Sequence, residues 1–245
     1  MKWKQLFYKL ACSSQGPFVS AERVYNLHSG ERQVGEKLEE IRYDHRARYQ
    51  LIVDTLKSKN VDGVSICGLD LFCATGYGAW MLSSELGCSM FGVDASLEAV
   101  TFANKHFSNE KTFYAHKVFP FSLPIQTFDF ISCIESIEHV KDHRSLLAEV
   151  IKSLKVGGYL FLSTPNENML SLELNPNPFH SRHFTREEID LMMSSFPEIE
   201  MVGWFGQNLY QVDSEGIVTG GLGVDEMGLV KGQEGQLQLY VFKVR

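Results

Sequence analysis

The chain has 245 residues, of which 44% are hydrophobic and 22% charged, a composition typical of a soluble enzyme with one full core. Its formal net charge of −7 argues against a general nucleic-acid binder, which normally carries a basic excess. No apolar run approaches the roughly 20 residues that a membrane span needs, so we expect no membrane segment. We therefore predict a single domain over residues 1–245.

The N-terminal part contains an arm and a helix. Residues 1 to about 30 show no periodicity and are predicted to form an irregular arm or lid. From 34 to 57 the pattern is helical and predicts a lid helix. Residues 1–57 are therefore predicted to form an arm followed by this lid helix. The predicted inward positions of this helix are Leu38, Ile41, Tyr49, Ile52 and Leu56.

The rest of the chain, 64–245, is predicted to form the core domain. Apolar runs and helical patterns alternate, which predicts a parallel sheet with helices on both faces. Gly157–Gly158 is predicted to end the helix before the fifth strand. The predicted strands are 66–72, 89–93, 112–117, 128–134 and 158–164, and the predicted helices are 77–87, 96–107 and 143–155.

The C-terminal part begins with a capping box, Thr185 to Glu188, which opens a helix that ends near Ser195. Strands follow near 200–204 and at 237–242. The connection between them, 208–235, is predicted to be an insertion, and its glycine-rich part has the composition of a mobile segment. Three roles are open for it: a substrate flap, a subunit contact or a tolerated surface loop. We favour the surface loop.

Five cysteines without a Cys-x-x-Cys pair indicate no disulfide framework or zinc site. Cys67, Cys73 and Cys133 lie in or beside predicted buried strands, so we interpret them as small core residues in a reducing compartment. Lys9–Cys12 resembles a lipoprotein cleavage site, but the apolar stretch before it is too short for a secretory signal. A cytoplasmic location is therefore predicted.

The most informative motif runs from Gly68 to Gly78. A buried strand breaks into small residues, a helix begins near Gly76, and the next short strand ends at Asp94. This is the plan of a nucleotide-binding unit, in which the helix N-terminus offers N–H groups and the carboxylate binds ribose hydroxyls. A dinucleotide fold would have glycines where Phe72 and Ala74 stand, so such a cofactor is disfavoured.

The motif resembles the first motif of class I S-adenosylmethionine-dependent methyltransferases, Asp-x-Gly-x-Gly-x-Gly. Asp70 and Gly76 match it, whereas Phe72 and Ala74 do not. Further segments resemble, in order, a bacterial branch of that family acting on sugars, polysaccharides and secondary metabolites. These segments are 30–32, 44–49, 123–130, 134–140, 154–160, 163–166, 177–180 and 183–186.

The resemblance implies an α/β, Rossmann-like, seven-stranded and mostly parallel sheet in the order 3-2-1-4-5-7-6, with the last strand antiparallel. It implies S-adenosylmethionine as the cofactor. Many relatives hold the adenine amino group with an acid after the third strand. Here 117–120 contains none, so we expect adenine to be held by apolar packing or backbone. The cofactor residues implied are Asp70, Ala74, Gly76, Asp94 and Glu135.

Glu135, Glu138 and His139 follow the fourth strand at a spacing that lets their side chains converge. With His180, this pattern resembles the metal site of small-RNA 3′-end 2′-O-methyltransferases, shared by some ubiquinone-pathway O-methyltransferases. The hypothesis is a Mg²⁺ or Mn²⁺ site. Without a metal, His139 is the leading general base, followed by His180 and His183. The alternative is that Glu138 and His139 only cap and orient the loop.

The predicted activity is methyl transfer from S-adenosylmethionine to an oxygen of a small polar acceptor, with a sugar or glycan precursor favoured. A metal-assisted O-methyltransferase of an RNA 3′ end or a quinone precursor is the first alternative. The acidic charge counts against RNA. A cofactor-binding protein without catalysis is the second alternative, and Phe72 in the glycine motif favours it.

Overall fold

The computed structural model describes residue 5, residues 25–29 and residues 32–245. The predictions for Lys9–Cys12 and for most of the N-terminal arm lie outside these residues. No described helix is long and apolar enough to cross a membrane. Cys67, Cys73 and Cys133 are buried, as expected of core residues, and Cys12 lies outside the described part.

The described strands form one large sheet and a separate hairpin. The sheet has the order β3-β2-β1-β4-β5-β10-β6-β9, and β7 pairs with β8. Strands β1 to β5 run parallel, whereas β10 is antiparallel to both β5 and β6. The strands are β1 (Cys67–Leu71), β2 (Ser89–Asp94), β3 (Thr112–His116), β4 (Phe128–Cys133), β5 (Leu154–Pro165), β6 (Ile199–Gln207), β7 (Tyr210–Val212), β8 (Val218–Gly221), β9 (Leu229–Lys231) and β10 (Leu237–Val244).

The predicted fold class is confirmed, and the strand count needs one correction. With β10 as the predicted seventh strand, the order 3-2-1-4-5-7-6 is reproduced. The sheet has eight strands because β9, a three-residue segment of the predicted insertion, pairs antiparallel with the end of β6. So short a strand carries no readable alternation of apolar and polar residues, which is why the sequence did not predict it.

Helices cover both faces of the sheet, as predicted. The buried side chains of α1, α2 and α3 belong to one core, and those of α4 and α5 to the other. Thr185 and Glu188 form the predicted capping box at the start of α5. The helices are α1 (Tyr43–Ser58), α2 (Tyr77–Leu86), α3 (Leu97–His106), α4 (His143–Ser153) and α5 (Arg186–Met193).

The predicted role of Gly157–Gly158 is wrong. Helix α4 ends at Ser153, and β5 begins at the next residue, so both glycines lie inside the strand. Gly157 has a φ of +80°, and the β4–β5 register shifts nearby, which marks an irregularity of the strand. Glycine serves a helix end and a strand bulge equally well, so the pair alone could not separate the two.

The lid helix and the insertion both differ in detail from the prediction. Residues 38–40 form a single 3₁₀ turn, and the α-helix starts only at Tyr43. Ile41, Tyr49, Ile52 and Leu56 are buried as predicted. The glycine-rich part of the insertion, expected as a loop, contributes β8, which pairs with β7 in a hairpin.

Candidate functional site

A cavity of ≈ 560 Å³ opens at the carboxyl ends of the parallel strands. It lies over the point where the order reverses between β1 and β4, the usual ligand site of an open α/β sheet. Helix α1 borders the cavity from the N-terminal side, together with Tyr25, Ser29, Arg32 and Gln33. The predicted site residues on its wall are Ala74, Asp94, Glu135, Glu138, His139 and His180.

Asp94 holds its carboxylate rigidly at one end of the cavity. Its Oδ1 accepts hydrogen bonds from the Ser96 N–H (2.8 Å) and from Arg32 Nη2 (2.9 Å), and its Oδ2 accepts from the Ala74 N–H (2.9 Å). The side chain is only 2% exposed. A fixed carboxylate at the end of β2 suits two ribose hydroxyls, and Arg32 is a partner that the sequence did not predict.

Beside Asp94, an apolar patch formed by Ala95, Val118, Phe119 and Pro120 lines the cavity. No acid stands among these residues. A flat heterocyclic ring can pack on such a surface.

The loop after β1 has the backbone of a glycine motif without two of the glycines. Phe72 has a φ of +59° and Ala74 a φ of +48°, both in the left-handed region that glycine favours. The Phe72 ring lies 6.3 Å from the Phe121 ring, against the core, and also borders the cavity. Gly76 lies off the cavity wall, and a Cβ there would be 2.6 Å from the Ala103 Cβ. Gly76 therefore serves the turn and the helix packing.

Replacing Ala74 by glycine is expected to raise the free energy of unfolding. The left-handed conformation costs an L-residue about 1–2 kcal/mol, and the greater freedom of glycine in the unfolded chain offsets about 0.4–1 kcal/mol of the gain. We expect a net stabilisation of about 0.5–1 kcal/mol in urea unfolding. The matched control, Ala148→Gly on the exposed face of α4, should destabilise by about 1 kcal/mol. A loss of stability in both variants would contradict the strained conformation at Ala74.

Asp70 lies beneath the loop and off the cavity wall. Its carboxylate accepts hydrogen bonds from Ser132 Oγ (2.6 Å) and Tyr49 Oη (3.2 Å). Burial raises the pKa of Asp70 to about 7, although both hydrogen bonds lower it. The folded chain therefore binds the Asp70 proton more tightly than the unfolded chain does, and this proton binding stabilises the fold. The stabilisation is complete below pH 3.8 and is lost as the pH rises towards 7.

Removing the strongest of these donors should raise the pKa of Asp70 further. In Ser132→Ala the carboxylate loses the 2.6 Å hydrogen bond that favours its charged form. Carbon-13 NMR titration of the carboxyl group should show a midpoint near pH 7 in the wild type and a higher midpoint in the variant. Ser83→Ala removes a hydroxyl bonded to the Cys88 carbonyl and should leave the midpoint unchanged. Equal midpoints in all three proteins would refute the assignment.

Arg48 carries a guanidinium nitrogen that is available for a ligand. Its Nε donates to Gln207 Oε1 (2.9 Å) and its Nη2 to Asp44 Oδ2 (2.8 Å). Its Nη1 is buried and has no hydrogen-bond partner among the residues that the structure describes. Arg48 borders the cavity, so this nitrogen suits an anionic group such as a carboxylate. The sequence suggested only a lid role for this residue.

The end of β4 brings the predicted acidic and imidazole side chains to the cavity. Glu135 has a φ of +48°, and its Oε1 accepts a hydrogen bond from Ser163 Oγ (2.5 Å). One 3₁₀ turn, Ile137–His139, then carries the next two candidates. Glu138, His139 and His180 each offer a ligand atom, and these atoms lie within 4.8 Å of one another. Glu135 borders the same cavity but lies outside this group of three.

Glu138 is fully buried, and neither of its carboxylate oxygens meets the geometry of a hydrogen bond within the described chain, although the Thr164 hydroxyl lies close enough to lower its pKa. Burial, together with the neighbouring charge of Glu135, raises the pKa of Glu138 well above its ordinary value. A buried carboxylate without partners is costly unless it is protonated or bound to a cation. The residue therefore suits either a protonated acid or a metal ligand.

The three candidate histidines lie in a row. His139 Nδ1 is 3.0 Å from the Phe179 carbonyl oxygen, and His180 Nδ1 is 2.7 Å from His183 Nε2. His139 and His180 border the cavity, whereas His183 is buried behind His180 and does not. The sequence predicted His183 as a catalytic candidate, but the His180 side chain separates it from the cavity.

The remaining wall of the cavity carries both apolar and polar side chains. Leu209 and Tyr210, at the start of the insertion, form part of it. The sequence predicted a surface loop for this segment, and its first residues instead help to enclose the site. Other apolar side chains on this wall are Ile134, Val140, Pro165, Leu170, Phe179 and Leu237, and its polar side chains include Lys141, Asp142 and Ser145.

The family model described as "Methyltransferase domain" matches residues 42–213. A ubiquinone biosynthesis O-methyltransferase of Schizosaccharomyces pombe is 34% identical over 108 residues, which cover 42% of this chain and 39% of that protein. A probable S-adenosylmethionine-dependent methyltransferase of Mycobacterium tuberculosis is 25% identical over 175 residues, which cover 69% of this chain and 61% of that protein. The matches thus span about 40 to 60% of the length of these relatives.

Solved structures share the fold at low sequence identity. The YcgJ protein of Bacillus subtilis has a TM-score of 0.60 at 16% identity, covering 82% of this chain and 99% of that one. A methyltransferase of Thermotoga maritima, described as a possible histamine N-methyltransferase, has a TM-score of 0.57 at 21% identity, covering 82% and 92%. NodS of Bradyrhizobium japonicum, solved with S-adenosyl-L-homocysteine, has a TM-score of 0.57 at 17% identity, covering 82% and 87%.

Proposed function

We propose that this chain, which belongs to the family of class I S-adenosylmethionine-dependent methyltransferases, methylates a hydroxyl oxygen of a small acceptor. The observation that carries the proposal is that one cavity joins the Asp94 carboxylate at one end to His139 and His180 at the other. Cofactor and acceptor can therefore occupy a single enclosed space. Enclosure aligns the reactants and excludes water.

The cofactor orientation follows from the charged groups. Asp94 would bind the ribose hydroxyls, and the patch of Val118 and Phe119 would pack on adenine. The buried, unpartnered Nη1 of Arg48 would then receive the methionyl carboxylate. This orientation directs the methyl group towards the end of β4, where Glu135 and His139 stand.

The proposed reaction requires one proton acceptor. The acceptor oxygen attacks the methyl carbon, the carbon–sulfur bond breaks towards sulfur to give S-adenosylhomocysteine, and the hydroxyl proton passes to an imidazole. His139 suits this role because the Phe179 carbonyl can only accept a hydrogen bond. Nδ1 of His139 therefore carries the proton, and Nε2 of the neutral ring carries the lone pair.

The acceptor class differs from the sugar favoured by the sequence. The cavity wall carries Leu170, Phe179, Leu209 and Leu237, an apolar surface that suits an aromatic ring, beside the polar side chains of Lys141, Asp142 and Ser145. Several relatives are named ubiquinone biosynthesis O-methyltransferases. We therefore propose an aromatic or similarly apolar hydroxyl compound, with no general nucleic-acid binding.

A second candidate, metal-assisted O-methylation, is favoured by Glu138. Its carboxylate is buried, and one of its oxygens lies within 4.8 Å of a ring nitrogen of His139 and of His180. One carboxylate and two imidazoles fit a divalent ion such as Mn²⁺ better than Mg²⁺, which prefers oxygen ligands. A bound ion would supply Lewis acidity to an acceptor with two adjacent hydroxyls. Glu135, the fourth predicted ligand, would remain outside this group.

The acceptor proposal is tested with methyl-labelled S-adenosylmethionine and two acceptors, catechol and glucose. We expect label on catechol and none on glucose. Label on glucose alone would restore the sugar hypothesis. If the cofactor binds but none of a wide panel of hydroxyl compounds is labelled, the non-catalytic alternative stands.

Chelation separates the two mechanisms. In the metal-free mechanism, catechol labelling continues at full rate in excess chelator, because an imidazole accepts the proton without the help of an ion. Loss of labelling, restored by added Mn²⁺ or Mg²⁺, would instead establish the metal-assisted mechanism. In that case Glu138→Gln should prevent the restoration, since an amide is a weaker ligand than a carboxylate.

A further inference from the structure

Behind the cavity wall, His183 joins His180 to the protein backbone. His183 Nδ1 lies 2.7 Å from the Leu170 carbonyl oxygen, and His183 Nε2 lies 2.7 Å from His180 Nδ1. His183 is 4% exposed and does not border the cavity. It does not reach the cavity, but it contacts His180, which does.

The hydrogen-bond chemistry fixes where the protons sit. A carbonyl oxygen only accepts, so His183 Nδ1 must be the donor to Leu170. In the neutral ring, His183 Nε2 then carries the lone pair and must accept. His180 Nδ1 is therefore the donor in the second bond, and the lone pair of the neutral His180 ring is on Nε2.

We propose that His183 is a positioning residue that holds His180 in the Nδ1–H tautomer and presents the Nε2 lone pair to Glu138 and His139. The inference deepens the proposed function, and the purpose of this positioning rests on that function. A proton acceptor and a metal ligand both need that lone pair, so the positioning serves either mechanism. Free histidine favours the opposite tautomer, which would place a proton on Nε2 and remove that lone pair.

Two features of the surroundings support this role. Glu167 Oε2 lies 3.7 Å from His183 Nδ1, and its negative charge favours a proton on that nitrogen. The rings of His139 and His180 lie 4.8 Å apart at 77°, an edge-on arrangement. Since His139 Nδ1 donates to the carbonyl of Phe179, the residue before His180, one short segment fixes both imidazoles.

The test is nitrogen-15 NMR of the histidine rings in the full chain at pH 8, which needs no acceptor and no activity. We expect His180 to show a protonated Nδ1 and an unprotonated Nε2 in the wild type. His183→Leu, which has no acceptor, should lose this pattern, and the His180 signals should move towards the Nε2–H tautomer. His183→Gln, whose amide oxygen can accept from His180, should restore it.

The control is His143→Gln, which changes a histidine that packs on the Phe184 ring outside the cavity wall. It should leave the His180 signals unchanged. A wild-type His180 protonated on Nε2 would overturn the inference even if His183→Leu fails to fold. An unchanged His180 tautomer in a folded His183→Leu would overturn it too. Calorimetry with S-adenosylmethionine is run in parallel, and its failure would refute the proposed function without changing the NMR result.

Discussion

Replacing His139 by alanine is expected to lower kcat by about 10²–10⁴-fold, the usual contribution of a positioned general base. His139 borders the cavity, and its hydrogen bond to Phe179 leaves the lone pair on Nε2. Since the imidazole takes the proton and does not bind the cofactor, S-adenosylmethionine affinity should remain nearly unchanged. Steady-state kinetics with the labelled cofactor measure the first quantity and calorimetry the second.

The matched control for His139 is His143→Ala, four residues further along the chain and outside the cavity wall. It should turn over at the wild-type rate. His183→Ala should cost much less than His139→Ala, because His183 acts only through His180. If His139→Ala and His180→Ala both retain the wild-type rate, the base lies elsewhere or the acceptor needs none.

Replacing Asp94 by alanine is expected to weaken S-adenosylmethionine binding by about 1.5–3 kcal/mol, the scale of hydrogen bonds to a charged group. The carboxylate is held in place by the N–H groups of Ala74 and Ser96, so it is already oriented for the ribose hydroxyls. Its loss also leaves Arg32 without its acidic partner at the same end of the cavity. Calorimetric titration of the cofactor measures the change.

Asp129→Ala is the control for Asp94. Asp129 is also an acid on the parallel sheet with defined partners, the Lys155 ammonium and the Cys67 N–H. It lies away from the cavity, so its removal should change stability and leave cofactor affinity as it is. Equal affinity in Asp94→Ala and the wild type would show that the ribose binds elsewhere.

Much of the fold could be predicted from local patterns. The alternation of strand and helix predicted a parallel sheet with helices on both faces, and the strand order came from the resemblance to the methyltransferase family. The strand β9 escaped because three residues form an edge strand only through their pairing with β6. Gly157 was misplaced because its positive φ fits a helix end and a bulge alike.

The site was less predictable than the fold. Asp94 and His139 stand at strand ends and could be found from spacing. Arg48 and Leu209 reach the cavity only through the packing of α1 and of the insertion, which no local pattern encodes. His183 was placed among the catalytic candidates because its distance along the chain from His180 does not reveal which ring faces the ligand.

The central claim is that this chain binds S-adenosylmethionine in the cavity above β1 and β4, and calorimetric titration of the wild type tests it most directly. The account predicts one binding site per chain for S-adenosylmethionine and one for S-adenosylhomocysteine, with the two ligands competing. If neither ligand binds, the account is contradicted, whatever the fold resembles.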